Sequence, residues 1–206
     1  SPGLVATLAG SVLGITAAHA LGAPEGAQVV AGNASISQQG ALTTIRTGRK
    51  AIINFQQFNI LKGETVQFIQ PGKNARVLNR IVGGDPTTID GNLLANGRVF
   101  IVNPAGVAFG ANSVVNVGRL YAGAANLSDS DFLKGNYHFT NVQNGIVAEG
   151  LITADAVNLI GKTIANSGTI VSDRGLVTML SGNDVLIRER GSRISALSSS
   201  SARKPS

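Results

Sequence analysis

A repeat in the C-terminal third of the chain restricts its fold more than any other feature. Gly150-Leu151-Ile152-Thr153-Ala154 is matched by Gly168-Thr169-Ile170-Val171-Ser172, an offset of 18 positions. Ile146 and Ile164 are also 18 apart. Val157-Asn158-Leu159-Ile160-Gly161 is matched by Val177-Thr178-Met179-Leu180-Ser181 at an offset of 20, with a two-residue insertion around Arg174-Gly175. Asn116-Val117-Gly118-Arg119-Leu120-Tyr121-Ala122 resembles the same unit. A repeat of this length, made of short apolar runs with turns between them, suits one coil of a parallel β-helix. Each coil lays its strands about 4.8 Å above those of the previous one. The repeat predicts seven or so coils and a rod on the order of 35 Å long.

The rest of the chain agrees with strands and turns. Runs rich in Val, Ile and Leu occur at Gln28–Val30, Ala51–Asn54, Thr65–Ile69, Arg98–Val102 and Val157–Ile160, punctuated by Gly, Asn, Asp and Ser. Two segments read as single helical turns, Asp85–Leu94 and Asp129–Leu133. Asp85-Pro86 places a capping residue before a first-turn Pro, and Asp129 is the expected cap of the second. The chain has 26 Gly but only nine aromatic residues, seven Phe and two Tyr. Few aromatics suit a narrow aliphatic interior. Gly and Asn suit left-handed turn positions and coil-to-coil ladders. A β-sandwich is the competing fold, with antiparallel strands every 8 to 12 residues. A rod of parallel strands must cap its open ends, and Ala27 to Ile60 is the natural N-terminal cap. Ser192–Ser206 reads as a polar tail or a join to further repeats.

The first twenty residues are of another kind. Leu4 to Ala18 is uncharged and apolar, and Ala18-His19-Ala20 is a cleavage triad. This is the apolar region and end of a secretory signal peptide, without its positive n-region. The expected organisation is a partial signal peptide over 1–20, a β-helical domain over 21–190 and a tail over 191–206. The cleavage site is formed by Ala18 and Ala20. A net charge of +6 does not imply nucleic-acid binding. Six of the 17 basic residues (Arg174, Arg188, Arg190, Arg193, Arg203 and Lys204) fall at the C-terminal end, and no basic run carries interleaved aromatics. Zero Cys excludes a disulfide scaffold and thiolate sites.

In order along the chain, Asn54-Phe55-Gln56-Gln57-Phe58-Asn59-Ile60, Glu64–Phe68, Leu78-Asn79-Arg80-Ile81-Val82-Gly83-Gly84, Ile89-Asp90-Gly91 and Leu94–Gly110 resemble the secretion domain of filamentous-haemagglutinin-type exoproteins. This is the N-terminal domain of two-partner-secretion proteins of Gram-negative bacteria. Val117–Leu120, Asp131–Leu133 and Gly135–Phe139 are similar to its continuation, so the resemblance spans roughly 27 to 190. It implies an all-β fold: a right-handed parallel β-helix with an N-terminal cap and short extra-helical hairpins or loops. It further implies a secreted, monomeric address domain, free of cofactor and of stable membrane insertion. The POTRA domains of a partner outer-membrane β-barrel transporter would read it, and it would fold outside the cell. The resemblance assigns transporter-linked folding to Asn79, Arg80, Asn103, Pro104 and Gly106. One departure stands in that last motif: the family's Asn-Pro-Asn-Gly turn is here Asn103-Pro104-Ala105-Gly106. Asn at the first position, Pro at the second and Gly at the fourth still suit a type I turn. The family's Asn-Pro-Asn-Leu motif is absent.

Two other functions fit a β-helix. One is an adhesin whose own surface binds host cells or glycans. The other, a polysaccharide-acting enzyme, needs paired carboxylates on one face. Asp85 with Asp90, and Asp129 with Asp131, read instead as solvated turn residues. His138 has no apparent Ser or Asp partner. No catalytic, metal or cofactor residue is expected.

Overall fold

The computed structural model describes residues 22–173, 175–190 and 193–199. The expected cleavage site at Ala18 and Ala20 lies outside them, as does Arg174. Three sheets of a parallel β-solenoid run side by side. The first contains β1 (Gln28–Ala31), β4 (Lys50–Phe55), β6 (Arg76–Ile81), β9 (Arg98–Val102), β12 (Arg119–Gly123), β17 (Ala156–Ile160) and β20 (Val177–Leu180). The second contains β2 (Ala34–Gln39), β3 (Leu42–Thr47), β5 (Thr65–Ile69), β8 (Asn92–Ala95), β11 (Val114–Asn116), β16 (Leu151–Ala154) and β19 (Thr169–Ser172). The third has four short strands, β7 (Thr87–Ile89), β10 (Val107–Phe109), β15 (Ile146–Ala148) and β18 (Ile164–Asn166).

The repeat in the sequence is the register of the stack. Ile146 pairs with Ile164, Ile152 with Ile170, and Val157 with Val177. Thr65–Ile69 and Arg98–Val102 form strands with the expected bounds. The Asn116–Ala122 match is displaced by one face. Leu120 stacks on Val157 in the first sheet, while Val115 takes the place above Ile152. The solenoid has six turns rather than seven, since six strands of the first sheet are parallel and β1 is antiparallel to β4. Five spacings of about 4.8 Å give a stack of about 24 Å.

Among the described residues, β1 and β2 cap the N-terminal end. Both run antiparallel to their neighbours, whereas β3 and β4 already stack in parallel on β5 and β6. The cap is therefore shorter than the expected Ala27 to Ile60. The first predicted helical turn is absent: Asp85–Leu94 instead contains β7 and β8. Ile89 and Leu93 are fully buried in the interior, and ladder pairing to β10 and to β5 and β11 takes their backbone. Interstrand bonds and burial outweigh a Pro-initiated cap.

The second turn is real. The helix α1 (Asp129–Lys134) is capped by Ser128, one residue earlier than expected, whose hydroxyl accepts from the Asp131 N–H at 3.1 Å. It ends at Gly135 in the left-handed conformation. With β13 (Asn126–Leu127) and β14 (Asn136–Thr140), α1 forms an excursion between β12 and β15. A hairpin follows β20, formed by β21 (Asp184–Arg190) and β22 (Arg193–Ser199). The predicted polar tail thus supplies a strand. β13, β14, β21 and β22 make a fourth, antiparallel sheet.

This outer layer creates a second core. Side chains of the first sheet alternate between two buried environments, so strands such as β9 and β17 read as nearly continuous apolar runs. Val99, Ile101, Leu120, Ala122, Val157 and Leu159 face the solenoid interior. Ile52, Leu78, Phe100, Tyr121 and Ile160 face the outer layer, against Phe132, Tyr137, Phe139, Val185 and Ile187. Five of the nine aromatics lie here rather than in the interior. Phe100 and Tyr121, opposite each other in register, stack with centroids 4.1 Å apart. Phe132 and Tyr137 meet Phe100 edge-on at 5.1 and 4.7 Å.

Seven glycines take positive φ among the described residues, as expected, but others serve close coil contact. Coil-corner Gly118 has no left-handed backbone; a Cβ there would lie 2.7 Å from the Gly97 carbonyl oxygen of the coil below. Close coil approach demands Gly. Among the described residues only Asn141 is a non-glycine with positive φ. The asparagines bond to neighbouring coils, as the expected ladder requires: Asn96 exchanges two hydrogen bonds with the Gln70 backbone at 2.7 and 2.8 Å.

Truncating Phe132 to Ala removes the side chain that pins α1 to the aromatic stack. The expected loss is about 3–5 kcal/mol in urea-unfolding free energy. Leu197→Ala, at a residue 70% exposed on β22, is expected to stay within about 0.5 kcal/mol.

Candidate functional site

Asn103-Pro104-Ala105-Gly106 follows β9 and turns the chain into β10. The Gly106 N–H donates to the Asn103 carbonyl at 3.0 Å, closing the turn. The Asn103 carboxamide is buried and satisfied on both sides. Its oxygen accepts from the Ala105 N–H at 2.9 Å, and its nitrogen donates to the Asp85 carbonyl at 2.8 Å and the Thr87 hydroxyl at 2.9 Å. From the next coil, Asn144 donates to the Pro104 carbonyl at 2.8 Å. The turn is therefore gripped from the coils before and after it. At position 105 only the backbone N–H takes part in this grip, so Ala is compatible with the turn. Gly106 is irreplaceable for geometric reasons. Its φ is +113°, and a Cβ would sit 3.1 Å from the Gly145 carbonyl oxygen.

Asn79 and Arg80 are sequence neighbours on opposite faces of β6. Asn79 shares the inward face with Val77 and Ile81 and is fully buried. Its amide donates to the Phe100 carbonyl at 3.0 Å, and its oxygen has no partner. Arg80 points outward. It donates to Asn54 at 3.1 Å, to the Leu127 carbonyl at 2.7 Å and to Asp129 at 2.5 Å. It thus clamps the start of the α1 excursion to two coils. The structure brings Arg80, Asn103 and Pro104 together around one cleft of about 470 Å³, with Asn126, Asn141 and Asn144 on its rim. Asn79 lies beneath it, inside the stack, and Gly106 does not line it.

The residues set aside as solvated turns have structural duties. Asp129 holds Arg80. Asp90 accepts from the Asn112 backbone at 3.0 Å, linking successive coils. His138 is half-buried on β14, opposite Leu186. Among the described residues no group of three or more His, Asp or Glu is placed to hold a metal, and no helix is long and apolar enough to cross a membrane.

A further cluster is not visible in the sequence pattern. Lys50, Arg76, Arg98 and Arg119 occupy one register column on the outward face of the first sheet. Like charges directly opposite each other destabilise a sheet; at a strand spacing of about 4.8 Å, each neighbouring pair repels by roughly 3 kcal/mol at an effective dielectric of 20. Glu189 of β21 answers two of them. Its carboxylate, only 6% exposed, pairs with Arg98 and, at 3.1 Å, with Arg119. At the other end, Lys50 and Arg76 both donate to the Leu133 carbonyl at the C-terminus of α1, at 3.1 and 2.9 Å. That is the negative end of the helix. Arg76 also lies 5.4 Å from the Phe132 ring centre.

Comparison with known proteins follows from this geometry. A family model described as the TPS secretion domain matches residues 15–205. A heme/hemopexin-binding protein of Haemophilus influenzae is 33% identical over 182 residues, covering 82% of this chain and 20% of that protein. A second protein of the same name and species is 33% identical over 132 residues, covering 62% of this chain and 14% of the relative. The chain therefore spans a fifth or less of these curated relatives. The crystal structure of the HMW1 secretion domain from Haemophilus influenzae matches with a TM-score of 0.79 and 33% identity, over 84% of this chain and 48% of that one. The filamentous hemagglutinin secretion domain shares the fold, with a TM-score of 0.55 and 15% identity, over 89% of this chain and 70% of that one.

Three stability outcomes follow. Glu189→Ala leaves Arg98 and Arg119 facing each other without a buried counter-charge, and is expected to cost roughly 3–5 kcal/mol in denaturant unfolding. Asn103→Ala strands the Asp85 carbonyl, the Thr87 hydroxyl and the Ala105 N–H, and is expected to cost about 1–3 kcal/mol. Ala105→Asn is expected to change stability by less than about 0.5 kcal/mol.

Proposed function

The chain belongs to the TPS secretion domain family, the secretion domain of two-partner-secretion exoproteins, and from that premise we propose that it is both an address and a folding template. Exoproteins of this family are secreted, and membership implies a partner transporter. In the proposed sequence of events the signal peptide over 1–20 sends the chain across the inner membrane. The POTRA domains of the outer-membrane transporter bind it in the periplasm while it is unfolded, and it folds as a monomer once outside.

The observation that carries the template role is the asymmetry of the stack. Its N-terminal end is closed by antiparallel β1 and β2. Its C-terminal end finishes in β18, β19 and β20, parallel strands whose outer edges are unpaired among the described residues, beside the exposed Leu176, Val177 and Met179. Chain that follows can add strands to that edge and bury those side chains, and each added coil draws more chain forward. Late folding is supported by the topology, because parallel non-local pairing folds slowly. Zero Cys means that no disulfide locks a structure too wide for a pore.

Recognition before folding has a structural rationale. In the folded domain β5 lies between β3 and β8, and β9 between β6 and β12. Val66–Ile69 and Val99–Val102 therefore offer strand edges only in the unfolded chain, where they are suited to extend a POTRA sheet. Arg80, Asn103, Pro104 and Gly106, with Asn79 beneath them, set the corner at which the excursion carrying α1 docks. Their proposed contribution is to folding outside the cell.

The test places residues 21–206, fused to a passenger, behind a complete inner-membrane export signal and co-expresses the fusion with candidate transporters. The expected outcome is passenger in the medium only when the cognate transporter is present. Proline substitutions in Val66–Ile69 and Val99–Val102 are expected to weaken capture of the unfolded chain by purified POTRA domains at least tenfold. Secretion with no transporter, or with none of the cognate candidates, overturns the proposal. Transporter-independent binding of the purified domain to host cells would favour a direct adhesin.

A further inference from the structure

The cationic column described above is not neutralised evenly. Glu189 serves Arg98 and Arg119. At the Lys50 and Arg76 end the acceptor among the described residues is one helix carbonyl. That end opens into a cleft of about 550 Å³ between the start of β4 and the loop that precedes β6. Arg49, Lys50, Lys73 and Arg76 line it, with Pro71, Gly72, Asn74 and Ala75, and no carboxylate does. The Arg49 and Lys73 side chains are exposed and make no hydrogen bond or ion pair among the described residues. Both sit on well-held backbone. The Arg49 carbonyl accepts from the Arg76 N–H at 2.9 Å, and the Ala75 N–H closes the turn onto the Gly72 carbonyl at 3.0 Å. In-register stacking sets Lys50 beside Arg76, and the turns before β4 and β6 add Arg49 and Lys73 to the same concavity.

We infer that this cleft is an anion-binding site that takes a phosphate or sulfate group. Its concave shape and the four cations that line it suit a compact, multiply charged oxyanion. Guanidinium groups can bind such an oxyanion through paired N–H bonds while the lysines add point charge. Arg76 and Arg80 stand at opposite ends of β6, about 13 Å apart along the strand. The site is therefore separate from the Arg80–Asn103 cleft and owes nothing to its role in export.

Calorimetric titration of the purified chain with inorganic pyrophosphate, at constant ionic strength, tests the inference. The expected result is saturable one-site binding that weakens at least tenfold in the Arg49→Ala/Lys73→Ala double variant, since both side chains are exposed and free of structural partners. Lys162→Ala, an exposed cation of the last coil, is expected to bind as the parent does, which separates a built site from net charge. Flotation with phosphatidylcholine vesicles, with and without phosphatidic acid, identifies the source of the group. Binding to the acidic vesicles that the double variant loses assigns a lipid headgroup, and pyrophosphate binding without flotation assigns a soluble ester. No saturable binding, equal binding by the double variant, or capture of a polyglutamate peptide without a pyrophosphate response overturns the inference.

Discussion

In-register parallel stacking is the constraint on which the whole structure depends. Each coil presents a side chain about 4.8 Å above its counterpart in the coil before, so residues act as columns. On the inward face of the first sheet the columns are aliphatic, as in Ala51, Val77, Val99, Leu120, Val157 and Val177. A column of like apolar groups is self-supporting, since each level buries its neighbours. A column of like charges is not, and it needs partners from outside the stack.

The outward face of the same sheet shows what those partners do. Three columns stand side by side there. Lys50, Arg76, Arg98 and Arg119 form a cationic one; Ile52, Leu78, Phe100, Tyr121, Asn158 and Thr178 form a largely apolar one; and Asn54 with Arg80 begins a third. The outer layer answers each in kind. Glu189 and the C-terminus of α1 meet the cations, Phe132 and Tyr137 meet the aromatics, and Asp129 meets Arg80. The solenoid and its cover are thus one cooperative unit. The counter-charge on β21 lies 91 residues beyond Arg98 in the chain. A chain that emerges from its N-terminal end therefore completes its electrostatics only after the last described hairpin has emerged, which accords with the folding outside the cell proposed above.

The corner site obeys the same logic on a smaller scale. The buried Asn103 supplies, with one carboxamide, partners for two peptide groups of a tight corner and for the Thr87 hydroxyl. The family's second Asn in that turn is dispensable here because the only interaction made at position 105 comes from its main chain. Asn79 is the less comfortable case. It lies between Ile53 and Ile101 in an otherwise apolar column, with one polar atom unpaired. Such an atom costs stability, and nothing in the folded domain recovers that cost.

How much of this was legible beforehand depended on whether the signal was local. The repeat, the strand bounds at Thr65–Ile69 and Arg98–Val102, and the turn at Asn103 could be read directly. Stacking writes its own period into the residues, and a turn writes its dihedral needs into Pro and Gly. The false helix at Asp85–Leu94 arose because a local capping signal competes with ladder bonds to strands far along the chain. The coil count was one too high because the outer layer borrows its residues from what looks like one continuous repeat. Glu189, Asp129 and the aromatic cover carry no periodic mark, and their meaning exists only where β21 and α1 cross the first sheet. Coil, register and family motif were therefore determined by the sequence alone. Which face is covered, which charges are answered and which cleft remains cationic were decided by tertiary packing, because a charge or a ring acquires its energy from what lies opposite it.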